Sequence, residues 1–140
     1  MTIVFNSLNV SGVLNLRQTS ADGTSAPINL TGMTLEARFF DVGHVGQYGT
    51  DDYGSSQSGD TALLTVSTAT SATSTTTGGV VVDDAEAGQV HYVITPAQSL
   101  SLSQNSIRAP LSRRRMQVEI WRSDSGAESR FGKFTEWAEG

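Results

Sequence analysis

Apolar residues alternate with polar residues along much of this chain, at the period of a β-strand rather than that of a helix. The clearest case is 33–41, where four apolar side chains alternate onto one face: Met33, Leu35, Ala37 and Phe39. Because successive strand side chains point to opposite faces, this pattern predicts a half-buried strand. Similar patterns predict further strands after a short apolar start at 2–6, namely 12–18, 61–67, 80–82, 89–95, 111–122 and 128–137.

Turn and cap signals lie between several of these segments. The run 20–27 contains Asp22-Gly23, a pair that supplies the positive φ of a hairpin turn. Pro96 follows Thr95, which predicts one helical turn over 96–103 with Thr95 as its N-cap. Gly132 lies where Phe131 and Phe134 fall out of phase, and it therefore predicts a β-bulge in the last strand.

About eight strands at short spacing, separated by turn signals, indicate an all-β, antiparallel β-sandwich of immunoglobulin-like or jelly-roll-like type. The 140 residues fit one domain, 1–140, without a linker or an internal repeat. Two segments fall outside the alternation. A long Gly-rich loop is predicted at 42–60, and 68–77 is a Ser/Thr tract with strand propensity but no apolar face.

Composition excludes several classes of function. The absence of cysteine rules out disulfide frameworks, thiolate metal sites and cysteine nucleophiles. The net charge of −5 argues against nucleic acid or an anionic membrane as the main partner, because both require clustered positive charge. The first residues lack a basic region and a long apolar run, so we expect no cleaved secretion signal.

No catalytic or metal-binding motif is evident. The two histidines, His44 and His91, have no second histidine at metal-ligand spacing, which favours solvated or hydrogen-bonded imidazoles. Asp51-Asp52 does not repeat the alternate spacing of a calcium loop, and 83–86 reads equally well as an acidic, solubilising turn. We therefore expect no enzymatic activity, no cofactor and no metal.

The strongest local anomaly is the run Arg113-Arg114-Arg115 at the start of a predicted strand. The alternation places Arg113 and Arg115 on the outward face together with Trp121, and Arg114 in phase with the core residue Met116. One interpretation is an edge strand protected from aggregation by charge. The other is a protein–protein contact, because arginine and tryptophan dominate many interfaces.

The acidic segments 51–60 and 83–86 could supply the complementary surface on a neighbouring molecule. The candidate interface therefore consists of Arg113, Arg115 and Trp121 together with four residues of the Gly-rich loop, namely Tyr48, Asp51, Asp52 and Tyr53. An alternative from another class is a carbohydrate-binding module, in which Tyr48, Tyr53 and Trp121 would be the stacking platforms.

The segment 27–39, Pro-Ile-Asn-Leu-Thr-Gly-Met-Thr-Leu-Glu-Ala-Arg-Phe, resembles the opening of small tailed-phage β-sandwich proteins. These include the N-terminal domain of the phage baseplate upper protein family and similar tail- or fibre-associated domains. The order of later segments is also similar, from Gly78-Gly79 and 88–95 to the strand ending at Trp121. The chain departs from that family in its arginine run and in the insertion at 42–60.

The resemblance implies a non-enzymatic virion structural protein, made in the host cytoplasm, that assembles in a tail, baseplate or fibre attachment. It implies protein partners, other virion proteins and copies of this chain, with no nucleic acid, membrane or cofactor. It provides no catalytic residues. A capsid decoration (cement) protein is the alternative within the same class, and sequence alone does not separate the two.

Overall fold

A computed structural model describes residues 2–41, 62–68, 77–105, 114–124 and 129–139. These residues are mostly in β-strands, and within these ranges there is one short helix, as expected for an all-β protein. The elements in chain order are β1 (Thr2–Val4), β2 (Asn9–Val10), β3 (Leu14–Asn15), β4 (Arg17–Thr19), β5 (Ser25–Pro27), β6 (Leu35–Asp41), β7 (Leu64–Ser67), β8 (Gly79–Asp84), β9 (Gln89–Ile94), α1 (Pro96–Asn105), β10 (Arg114–Arg122) and β11 (Ser129–Glu139).

The larger sheet has five strands in the order β1-β11-β10-β6-β7. Its long central strands pair antiparallel, as the alternation predicted, with Val118 opposite both Phe39 and Phe134. The edge strand β1 departs from this rule, because it runs parallel to β11 with Ile3 opposite Ala138. The expectation of purely antiparallel pairing is therefore wrong at this edge, where the start and the end of the described chain lie side by side.

The smaller sheet is built on β9. β8 pairs with one edge of β9, while β2 and β3 pair with successive parts of the other edge, so that β2 and β3 form one interrupted strand. A separate antiparallel hairpin joins β4 to β5. Its turn contains Gly23 with φ +89°, which confirms the turn predicted from Asp22-Gly23.

One cluster of buried apolar side chains draws on both sheets. The larger sheet contributes the alternating residues Leu35, Ala37 and Phe39, as predicted, and β9 contributes Tyr92 among others. The Phe39 and Tyr92 rings meet edge to face, with centroids 5.2 Å apart. Burial raises the pKa of Tyr92, and the nearby Glu136 carboxylate raises it further, so the phenol stays neutral at ordinary pH.

Helix α1 is longer than the predicted turn but begins where the sequence indicated. The Thr95 hydroxyl accepts a hydrogen bond from the Gln98 amide (3.2 Å), and the Gln98 side chain accepts one from the Thr95 amide (2.9 Å). This reciprocal pair is a capping box, which satisfies two amides that the helix itself leaves unpaired. The helix places Leu102 in the core and Ser99 against Ser7, where the Ser99 hydroxyl donates to the Ser7 carbonyl at 2.9 Å.

The predicted bulge in the last strand is confirmed. Ile120 pairs with Gly132 but its neighbour Trp121 pairs with Arg130, so Phe131 is the extra residue on β11. A side chain at position 132 would meet the Leu16 side chain at 2.9 Å. Glycine at the bulge therefore lets the segment before β4 pack directly on β11.

The turn between β8 and β9 is held against that same segment. The Leu16 amide donates to the Gly88 carbonyl (2.8 Å), and the Leu30 amide donates to the Ala85 carbonyl (2.8 Å). Gly88 has φ +69°, and a Cβ there would lie 2.5 Å from the Leu16 carbonyl oxygen. The turn is thus fixed to the body of the protein at both of its ends.

Candidate interaction surface

Trp121 does not have the position that the alternation suggested. It shares a face with Arg115, as predicted, but it is only 6% exposed, so the expectation that it faces solvent is wrong. The Arg38 guanidinium lies over its ring, 4.3 Å from the centroid, in a cation–π contact. The indole is therefore covered by side chains of this chain.

Glu119 lies at the centre of a polar network on the same outer face. Its carboxylate is fully buried and accepts hydrogen bonds from the Trp121 indole (2.9 Å) and from the Gln117 amide. The Arg130 guanidinium approaches it at 3.5 Å. Gln117 and Glu119 alternate with the core residues in the same way as Trp121, and both are buried. Their burial shows the limit of the pattern. Alternation predicts which face of the sheet a side chain is on, but it does not predict whether long side chains of adjacent strands cover that face.

Most arginine side chains that the structure describes have partners within the chain. Arg38 binds Glu36, Arg122 binds Asp124, Arg130 approaches Glu119, and Arg17 donates to the Ser25 hydroxyl. Arg115 is the exception: it is exposed, and it forms no ion pair with any described residue. The planar guanidinium of an exposed arginine matches the geometry of a carboxylate, including one on another molecule.

The tryptophan beside Arg115 is Trp137. The two residues are directly paired across β10 and β11, and Trp137 is 41% exposed. Directly opposite cross-strand residues have Cβ atoms about 4.5–5.5 Å apart, so the cation and the indole lie side by side on one face. The arginine and tryptophan combination predicted from the sequence therefore involves Trp137 rather than Trp121.

One further exposed apolar side chain, Val4, extends this surface. Within the described ranges, every large hydrophobic residue that is substantially exposed lies between residues 4 and 13 or beside β1: Val4, Leu8, Val10, Val13 and Trp137. Trp137 is opposite Thr2 in β1, next to Val4. We call Val4, Trp137 and Arg115 the N-terminal edge. Exposed apolar residues that lie next to one another are typical of an interaction surface, whereas scattered ones are not.

The Asn9 side chain forms hydrogen bonds with the backbone of Val4 at this edge. Its side-chain oxygen accepts from the Val4 amide (2.9 Å), and its side-chain nitrogen donates to the carbonyls of Val4 (2.9 Å) and Ser7 (3.0 Å). An unpaired strand edge would invite uncontrolled pairing with another chain. Because Asn9 occupies the amide and the carbonyl of Val4, these two groups are not free to pair with a strand of another molecule.

We expect Asn9→Ala to lower the free energy of unfolding by about 2–3 kcal/mol, because three hydrogen bonds of a buried amide are lost. We also expect faster aggregation, since the β1 edge becomes free to pair. Urea denaturation and light scattering measure the two effects. Asn15→Ala is the matched control, because Asn15 is exposed and makes one long bond to Gln89 (3.3 Å). Equal losses for the two variants would contradict the capping role.

His91 is hydrogen-bonded, which is one of the two states expected from the sequence. Its Nδ1 lies 2.9 Å from each carboxylate oxygen of Asp83 on the neighbouring strand. Asp84 accepts the Ala87 amide at 3.1 Å and thereby stabilises the turn. Across the residues with described positions, no group of three or more histidine, aspartate or glutamate side chains could hold a metal ion.

Several predicted residues lie outside the described ranges. They are Arg113, His44 and the four loop residues Tyr48, Asp51, Asp52 and Tyr53. The Ser/Thr tract is described only at its two ends. Of the candidate interface, the structure therefore places Arg115, which is exposed, and Trp121, which is buried.

Sequence reasoning missed Trp137 and Asn9. Trp137 follows the alternation of the last strand, but its position beside Arg115 and β1 depends on strand register, which the pattern does not give. Asn9 lies in a short segment without marked periodicity, and its role appears only when β1 and β2 are adjacent. The one local signal is the number of apolar residues between positions 3 and 13, which exceeds the number that a single short strand buries.

Comparisons with known proteins add no family to this description. No protein-family model matches the chain, and no curated protein matches its sequence. In the part of the chain that the structure describes, no helix is long and apolar enough to cross a membrane.

Proposed function

We propose that this protein is a non-enzymatic structural protein of a phage virion, assembling through protein–protein contacts in the tail, baseplate or fibre attachment. The observation that carries the assembly role is the N-terminal edge, where Arg115 and Trp137 lie beside the exposed Val4. The virion setting is supported by the resemblance of 27–39 and the later segments to tailed-phage β-sandwich proteins.

The fold fits a rigid assembly module. We infer that the two sheets pack face to face as a β-sandwich, since Phe39 of the larger sheet meets Tyr92 of the smaller one in the shared core. A domain with its surface on firmly held strands loses little conformational entropy on association. Many copies of a weak contact then bind tightly through multivalency.

A capsid decoration (cement) protein remains the alternative within this class, because it would use the same kind of surface. The carbohydrate-binding alternative has less support. Trp121, one of its three proposed platforms, is covered by Arg38, and sugar stacking requires an exposed aromatic ring.

Mass spectrometry of density-purified particles tests the proposal. Particles from the phage or prophage that encodes the chain should contain it at a fixed ratio to the other structural proteins. Its chemical cross-links should reach a tail, baseplate or fibre protein, while cross-links to the major capsid protein would favour the decoration alternative. If the chain stays in the unassembled fraction, the virion proposal is wrong.

A further inference from the structure

The N-terminal edge and the acidic β8–β9 turn lie at opposite ends of the protein. The Gly88 carbonyl of the turn accepts a hydrogen bond from the Leu16 amide. The Leu16 side chain lies close to Gly132 of β11, and Gly132 pairs with Ile120 of β10. Arg115 and Trp137 are each five residues further along their strands, or roughly 17 Å at about 3.4 Å per residue. The two features therefore cannot meet within one molecule.

The turn presents acidic groups on a fixed backbone. Asp83, Asp84 and Glu86 are all exposed, and Glu86 makes no hydrogen bond or ion pair with described residues. The Ala85 and Gly88 carbonyls accept hydrogen bonds from Leu30 and Leu16. Little backbone entropy is lost when such a turn binds a cation.

We infer that the partner of Arg115 is the acidic β8–β9 turn of a second copy of this chain, with Glu86 as the paired carboxylate and Trp137 packed beside the contact. The inference rests on the proposed assembly function and specifies one partner for the same edge. Its basis is charge complementarity between two exposed groups, the Arg115 guanidinium at one end and the Glu86 carboxylate on the β8–β9 turn at the other, neither of which forms an ion pair with a described residue.

The geometry of such a contact is head-to-tail. Each copy uses its edge to bind one neighbour and its turn to bind another, so repetition produces a ring or a linear row. Because the contact is a surface ion pair beside an aromatic ring, it weakens as salt is added. Both forms of repetition suit a component that is present in many copies.

A charge-swap series in sedimentation equilibrium tests the pairing at about 50 mM salt, where screening is weak. We expect Arg115→Glu and Glu86→Arg each to raise the self-association Kd about tenfold or more, because like charges then face each other. The double variant carries both changes and restores opposite charges across the contact. Its Kd should return to within about threefold of the original value.

Two control variants separate the contact from net charge. Arg17→Glu and Asp22→Arg alter the total charge by the same amounts at exposed positions on the β4–β5 hairpin, and both should self-associate like the original protein. Circular dichroism confirms that each variant is folded.

Three results would overturn the inference: a strictly monomeric protein up to about 1 mM, single variants that associate normally, or a double variant that fails to recover. Each of them leaves the particle experiment to decide the virion proposal separately.

Discussion

Gly88→Ala will lower the free energy of unfolding by at least about 3 kcal/mol, or prevent folding altogether. Two costs add at this position. The backbone has φ +69°, which costs a residue with a Cβ about 1–2 kcal/mol. The added Cβ would also lie 2.5 Å from the Leu16 carbonyl oxygen and 2.9 Å from that of Ile28, and backbone atoms cannot rotate away.

Two other glycines separate these costs. Gly23 has φ +89° but open space around it, so Gly23→Ala should lose about 1–2 kcal/mol from conformation alone. Gly12 has neither a positive φ nor a neighbour within 4 Å, so Gly12→Ala should stay within about 0.5 kcal/mol of the original. Urea denaturation followed by tryptophan fluorescence gives the three values. If Gly88→Ala and Gly23→Ala lower the free energy of unfolding equally, the close backbone contacts at Gly88 are contradicted.

The second large effect is expected at Glu119. Glu119→Ala should cost about 3–5 kcal/mol, because it removes the acceptor of two buried donors, the Trp121 indole and the Gln117 amide. The Arg130 guanidinium also loses its contact with this carboxylate (3.5 Å). The fluorescence of the folded protein should also change, since Trp121 loses its hydrogen bond to Glu119.

Glu86→Ala is the matched control for Glu119→Ala. It also removes a glutamate, but from an exposed position without a described partner, and it should change stability by less than about 0.5 kcal/mol in dilute monomer. A loss below about 1 kcal/mol for Glu119→Ala would contradict the network, and would mean that the donors find water when the carboxylate is gone.

The parts of the fold that depend on neighbours in sequence could be predicted. Alternation identified β6 and β9, with Leu35, Ala37 and Phe39 of β6 on the buried face, and Asp22-Gly23 marked the hairpin turn. Thr95 and Pro96 marked the start of the helix. In each case the residues that determine the local geometry lie within a few positions of one another, so one sequence contains the whole signal.

The candidate surface was only partly predictable, because it depends on contacts between distant segments. The sequence singled out the arginine strand, but the tryptophan beside Arg115 comes from β11 and the exposed Val4 comes from β1. Parallel pairing of β1 with β11 joins residues more than 130 positions apart, and no local pattern encodes it. The burial of Trp121 likewise depends on Arg38 of another strand.

The central claim is that this protein assembles through its N-terminal edge, and hydroxyl-radical footprinting of the two tryptophans tests it most directly. Trp137 is 41% exposed and Trp121 is 6% exposed, so the free chain should oxidise mainly at Trp137. In purified particles we expect Trp137 to become at least about tenfold less reactive, because an interface excludes solvent from its central aromatic residues. Trp121 should react slowly in both states and serves as the internal control. Oxidation of Trp137 at the same rate in particles and in the free chain would contradict the account.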